Sequence, residues 1–352
     1  MTAKQSASVT KAIVLTIAGL LLFISYLHFF VGFGDILEVL RAINPVNYVF
    51  YYSLAVVVVV LSVFFYSMTW YELLKLLSVK ISVRRALLYC WIGSFVDLIV
   101  PFEAVTGEIT RIYLATRNST GHVGRIIASV ASQRVLSTIA VLGGLIISSA
   151  SLAFGYKVRR FVFDLLTAVL VGTAASIFLI LYLSIRKEAT RGMVDSLLKL
   201  ANFVSKGRLK VDDLRTKAYH ALGSFYQGIE VIRSKPGGLI KPVVFNFAAW
   251  FFHLASYILV FYALDFRIAL DVSITVYSIS VAVQTIPIAL PVGLVEIVMT
   301  TLYDLFEIPL AVGGTATALI RILTFWLPII VGYAMAQWVG IRTLLQRKPN
   351  ET

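Results

Sequence analysis

A single cysteine, Cys90, is present in 352 residues, which leaves no disulfide framework and no thiolate metal site. The catalytic signatures H-E-x-x-H, G-x-S-x-G and the phosphate-binding glycine loop are all missing. No enzyme activity, cofactor or metal is therefore expected, and no nucleotide-driven step. Charge is scarce as well. Asp, Glu, Lys and Arg make up 14% of the chain against 59% apolar residues, where soluble domains run at about 25% and 45–50%. A soluble enzyme is excluded by that balance. No small-residue cleavage site ends the first apolar run, so it is read as a retained helix and not as a signal peptide.

What remains is a chain built for lipid, with a mean hydropathy of +0.89. Six runs reach the roughly 20 residues that cross a ~30 Å hydrocarbon core. They lie at about 12–33, 47–68, 126–154, 161–185, 243–264 and 314–341. The fold class expected is an all-α polytopic transmembrane bundle forming one membrane domain over residues 1–352. Between the first two runs, Ile36, Leu37, Val39, Leu40 and Ile43 recur at helical spacing and predict a short interfacial helix, stopped by Asn44-Pro45.

The net charge of +13 does not point to nucleic acid. Residues 186–241 carry twelve Lys and Arg against five Asp and Glu, a surplus of +7, as cytoplasmic loops do. Leu214, Ala218, Leu222, Phe225, Ile229 and Ile232 form one amphipathic stripe, and Met193, Leu197, Leu200 and Val204 another. A cytoplasmic helical hairpin near anionic headgroups is expected, separating a first half (12–185) from a second (242–345). Both termini are expected in the cytoplasm of a cell-membrane protein.

Each half contains an apolar segment too short to span and broken in the middle. The first breaks at Pro101 and Gly107, the second at Pro287, Pro291 and Gly293. Glu108 precedes Arg134 by 26 residues and Glu296 precedes Arg321 by 25. The first broken segment is flanked by Arg84, Arg85, Arg111, Arg117 and Arg125. The second is flanked by Asp265, Asp271, Asp304 and Glu307. Opposite flanking charge predicts two re-entrant hairpins entering from opposite faces, an inverted repeat of the kind that sets a transport site near the midplane.

Ionisable groups at membrane depth face a bundle interior or a hydrated cavity. Glu108, Arg111, Arg134, Glu296 and Arg321 are the candidate substrate-binding residues, and half-helix N-termini after Pro101 and Pro291 add partial positive charge for a phosphate. The plainer alternative is that Glu108–Arg134 and Glu296–Arg321 are pairs that only fix the fold. Asp97, Glu103 and His253 are weaker candidates. Trp70, Trp250, Trp326 and Trp338 read as interface anchors.

Pro101–Arg111 (PFEAVTGEITR) with Arg134-Val135-Leu136, and Pro291–Glu296 (PVGLVE) with Ala318–Arg321 and Leu323–Pro328 (LTFWLP), resemble two blocks of the lysylphosphatidylglycerol synthase transmembrane, or flippase-like (UPF0104), family. The resemblance covers roughly residues 10–345. It implies movement of a phospholipid, or of a polyprenyl-linked sugar, between leaflets. The sequence ends soon after the last span, so a stand-alone member without the aminoacyl-transferase domain is expected, and synthase activity is not. Pro-Val-Gly replaces the family's more glycine-rich turn at 291–293. A lipid flippase is the preferred reading. The alternative is a non-transporting scaffold for a glycosyltransferase or lipid synthase. Self-association into a homo-oligomer is left open.

Overall fold

The computed structural model describes residues 32–99, 106–119, 123–155, 160–204, 211–284 and 292–346, together with 21, 24–26, 28 and 29. Among the described residues every regular element is helical. Five helices are long and apolar enough to cross a bilayer: Pro45–Leu76, Val123–Ala150, Thr167–Ile185, Pro236–Ala263 and Leu310–Gly340. They answer to five of the six expected spans. Most of the expected first span, 12–33, lies outside the described residues, as do Pro101, Glu103, Pro287 and Pro291.

The amphipathic α1 (Phe33–Ala42) sets Val39 and the following Ile43 against the main apolar cluster. Asn44 then caps α2 (Pro45–Leu76), its side chain accepting from Val46 N at 2.9 Å with Pro45 at the first helical position. α2 outruns the expected 47–68 because its last turns have their own core. Trp70, Leu73 and Leu74 are fully buried there. Trp70 also donates through Nε1 to Ser129 Oγ at 3.0 Å. The expectation that Trp70 anchors at the lipid interface is therefore wrong: its ring is consumed by helix packing.

α2 runs antiparallel to α9 (Ile240–Ala263). At one end Asp265, just after α9, accepts from Asn44 N at 2.9 Å and Asn47 Nδ2 at 2.8 Å. In the middle Ser62 Oγ donates to Ala249 O at 2.9 Å. At the other end Gly238, just before α9, lies against Leu76. This pair is the spine of the molecule.

The short helices sort to its two ends. α3 (Val83–Ile99) and α4 (Thr106–Asn118) follow α2. At 1.5 Å per residue they span about 25 and 20 Å, less than a bilayer core. Their outer ends meet in one cluster. Ala86 and Tyr89 of α3 lie there with Ala115 of α4, Leu77 after α2, Ile126 of α5 (Val123–Gly155) and Phe225 of α8 (Val211–Ser234). α10 (Leu270–Gln284) and α11 (Leu294–Leu305) follow α9. Ile268 and Ile308, beyond their outer ends, belong to the cluster against which Ile43 packs, and Asp265 ties that end to Asn44.

Packing crosses between the halves in a reciprocal way. α3 of the first half lies along α13 (Leu327–Gln346) of the second, and α10 of the second lies along α5 of the first. Each crossing needs a glycine on the long helix. A Cβ on Gly332 would fall 2.5 Å from Trp91 O and Phe95 Cβ of α3, and one on Gly144 would overlap Ser278 Oγ of α10. Gly144 follows Arg134 by ten residues and Gly332 follows Arg321 by eleven. The extra residue is taken up by a π turn, Ile322–Trp326, between α12 (Leu310–Arg321) and α13. Pro328 lies just beyond it and has no N–H to offer an α-helical ladder. This interruption of the last span is not visible in its apolar pattern.

α6 (Arg160–Ile185) is the least buried of the five described spans. It continues into α7 (Lys187–Val204), which pairs with α8 as the expected polar hairpin.

Candidate functional site

α2 and α9 are mid-length near residues 60 and 252. A cavity of 330 Å³ opens there, walled by Ser62 and Tyr66 of α2, Asn246, Trp250 and His253 of α9, Ser94 and Asp97 of α3, Ser137 of α5, Tyr277 and Gln284 of α10, and Thr324 in the π turn. Both halves contribute. Its size is at the small end of ligand pockets, about 300–1,000 Å³. Its wall offers one carboxylate, one imidazole, two amides, several hydroxyls and three large aromatic rings. No Lys or Arg stands among the described lining residues.

The polar groups are held in place. Ser137 Oγ donates to Asn246 Oδ1 at 2.9 Å, and Asn246 Nδ2 donates to Leu136 O at 3.0 Å, binding α9 to α5. His253 and Trp250 meet the Tyr277 ring edge-on at 5.3 and 6.0 Å between centroids. His253 is thus partnered by aromatics as a helix-contact histidine while still reaching the wall. Trp250 Nε1 is buried and has no hydrogen-bond acceptor among the described residues, an unspent donor beside the cavity. Trp250 is not an interface anchor. Trp338 is 50% exposed.

None of the five residues named from the sequence is in the wall, though two pairs stand close to it. Glu108 and Arg134 meet at 3.5 Å and keep 21% and 31% of their side chains exposed. Arg134 is one turn from Ser137, and Glu108 follows Gly107, which is bonded to Asp97. Glu296 and Arg321 meet at 2.5 Å and are almost sealed, at 2% and 5%. Glu296 Oε2 also accepts from Gly293 N at 2.7 Å, and the Arg321 guanidinium lies 4.6 Å from the centre of the Phe325 ring. Arg111 is elsewhere. It is buried with Nη1 donating to Gln133 Oε1 at 2.8 Å and lies over the Tyr66 and Trp70 rings at 5.4 and 5.3 Å. Gln133 in turn donates to Tyr66 O at 2.8 Å. That arrangement joins α2, α4 and α5.

The two half-helix N-termini already hold carboxylates. At α4, Asp97 Oδ1 accepts from Gly107 N at 2.6 Å and Thr106 Oγ1 at 3.1 Å. At α11, Glu296 takes Gly293 N, with Gly293 at φ +102° as a residue without Cβ can be. Gly293 is therefore the N-cap of α11, and Gly107 lies in the first turn of α4. A phosphate cradle on these termini, as expected from sequence, would have to displace an internal anion. Asn246 and the π turn, the best-placed wall features, escaped the sequence reading because one amide or one extra residue scarcely changes the hydropathy of a span. No cluster of His, Cys, Asp or Glu suited to a metal occurs among the described residues.

A family model described as the lysylphosphatidylglycerol synthase TM region matches residues 13–332. The chain is 23% identical over 313 residues to a UPF0104 membrane protein of Methanothermobacter thermautotrophicus, covering 88% of this chain and 90% of that one. It is 25% identical over 329 residues to a UPF0104 membrane protein of Methanocaldococcus jannaschii, covering 92% and 94%. A UPF0104 membrane protein of Pyrococcus horikoshii is 23% identical over 303 residues, covering 84% and 87%.

Proposed function

Because the chain belongs to the lysylphosphatidylglycerol synthase transmembrane family, we propose that this multi-pass membrane protein moves a lipid headgroup between leaflets. The observation that carries the reading is the cavity at mid-length of the α2–α9 spine, mostly apolar but carrying polar side chains from both halves. Such a position is where a transporter built from two opposed repeats holds its substrate. α3–α4 and α10–α11 act as the two re-entrant hairpins of an inverted repeat. In support, each pair brings both outer ends to one end of the spine, and the ends differ. The basic α7–α8 hairpin then marks the cytoplasmic face of a cell membrane, with both termini on that side.

The wall fits a headgroup rich in hydroxyl or amine groups better than a bare phosphate. Asp97, Asn246, His253 and the Trp250 indole would meet those groups. The phosphate is assigned to Arg134, whose partly exposed pair with Glu108 is the one able to open. Glu296–Arg321 keeps the fold instead. No catalytic role is assigned to any of these residues.

The test is reconstitution into liposomes with fluorescent phospholipid in both leaflets, followed by dithionite. Quenching well beyond the outer-leaflet share, lost in Asp97→Asn and Arg134→Ala, is the expected result. Quenching confined to the outer leaflet for every headgroup tried, including a polyprenyl-linked sugar, rejects transport and leaves the auxiliary role beside a glycosyltransferase.

A further inference from the structure

A second pocket of 580 Å³, sharing no lining residue with the central cavity, lies where α6 meets the α7–α8 hairpin. Ser184 and Ile185 end α6 at its rim. Lys187 and Arg191, one turn apart on α7, and Arg233 of α8 bring three cations to it, against one carboxylate, Glu230. The cations are oriented by tyrosines. Lys187 Nζ lies 5.5 Å from the centre of the Tyr226 ring, and the Arg191 guanidinium 6.0 Å from that of Tyr219. Both rings are braced: Tyr226 donates to Leu183 O at 3.1 Å, and Tyr219 to Asp195 Oδ2 at 2.8 Å. Asp195 is itself paired with Arg215 at 3.3 Å, so its charge is met outside the pocket.

A continuous apolar track leads into this basic pocket. Val171, Phe178, Tyr182 and Ile185 of α6 are 59%, 71%, 43% and 70% exposed. Their spacing of seven, four and three residues sets them on one face of the helix. Phe178 and Tyr182 stack with their ring centres 6.3 Å apart along it. A greasy strip ending at three cations has the two-part chemistry of an anionic phospholipid.

We propose that this pocket binds the phosphate of one anionic phospholipid of the adjoining leaflet, whose acyl chains lie along the α6 track. It is a resident lipid site, separate from the transport cavity, and it fixes the α7–α8 hairpin against the membrane. Charge complementarity selects the phosphodiester, and the track selects a lipid over a free phosphate.

The protein in neutral detergent would be titrated with phosphatidylglycerol, phosphatidylcholine or glycerol 3-phosphate, with lipid retention counted by native mass spectrometry. One phosphatidylglycerol should be retained in preference to phosphatidylcholine. Each juxtamembrane cation contributes roughly a factor of five, so Lys187→Gln/Arg191→Gln/Arg233→Gln should weaken retention on the order of a hundredfold. Lys199→Gln, a basic residue of the same hairpin outside the pocket, should change it less than twofold. Equal losses in both variants would show diffuse surface charge and overturn the site. So would equal retention of phosphatidylcholine, or glycerol 3-phosphate binding as tightly as the lipid. Asp97→Asn leaves the pocket intact and should keep this lipid, so a failure here and a failure of the transport reading are distinguishable.

Discussion

The two Glu–Arg pairs have similar sequence spacing but opposite surroundings, and their mutants should differ in stability by several kcal/mol. Glu296 and Arg321 are 2% and 5% exposed and 2.5 Å apart. Arg321→Ala leaves a carboxylate in a dry interior, a change that costs about 3–5 kcal/mol. Glu108 and Arg134, 21% and 31% exposed at 3.5 Å, are partly buried, and Arg134→Ala should cost roughly 1–2 kcal/mol, between an exposed pair and a sealed one. Replacing both buried partners with apolar residues, Glu296→Leu with Arg321→Met, removes the stranded charge. It should recover most of the loss. The remaining deficit is the hydrogen bond to Gly293 N, worth about 1 kcal/mol. The assay is denaturant titration in mixed micelles followed by tryptophan fluorescence. Arg321→Ala and Arg134→Ala falling within about 1 kcal/mol of each other would refute the assignment of one pair to the fold and the other to transport. A double variant worse than Arg321→Ala alone would do the same.

Gly107→Ala should collapse the folded yield, since its Cβ would overlap the Gly93 carbonyl and the Asp97 carboxylate; a monodisperse gel-filtration peak at wild-type yield would contradict the α3–α4 contact. Cys90, buried at 1% exposure, should resist maleimide until the protein unfolds, and labelling at the unfolded rate in native micelles would deny its burial. In a Cys90→Ser background, Arg84→Cys and Arg117→Cys should be labelled from one side of a sealed vesicle, and Asp271→Cys and Asp304→Cys from the other. Labelling of Arg84→Cys and Arg117→Cys from opposite sides would mean that α3–α4 crosses the bilayer. The hydrogen bonds from Asn44 and Asn47 hold the Asp265 carboxyl below its ordinary range. Its stabilising contribution is therefore complete above that range and disappears as pH falls through the depressed value. An acid unfolding profile unchanged by Asp265→Asn would remove Asp265 from that role.

The spans and the polar hairpin were legible because runs of Val, Leu and Ile have few alternatives in water, and a 3.6-residue stripe such as Leu214–Ile232 has few readings other than a helix. The short helices α3 and α10 were legible from the shortness of their apolar runs. Side-chain destinations were not. Arg111 carries the same charge as Arg134, yet it is held by Gln133, Tyr66 and Trp70, which are 22, 45 and 41 positions away in sequence. Local pattern contains nothing of such contacts. Ser62, Ser137 and Asn246 meet only because three helices cross at one height. Asp97 was seen as polar, but the α4 N-terminus was reserved for a phosphate, since nothing in the local pattern pairs Asp97 with Thr106 and Gly107, nine and ten positions on.

The reciprocal crossings of α3 with α13 and of α10 with α5 mean that neither half covers its own long helix unaided. Pulled apart, each would expose the groove at Gly144 or Gly332 in which the other's short helix is seated. The two halves must therefore gain order together, each serving as the mould for the other. The bundle should melt as a single cooperative unit even if the backbone were cut between residues 205 and 210 and the pieces were supplied as two chains.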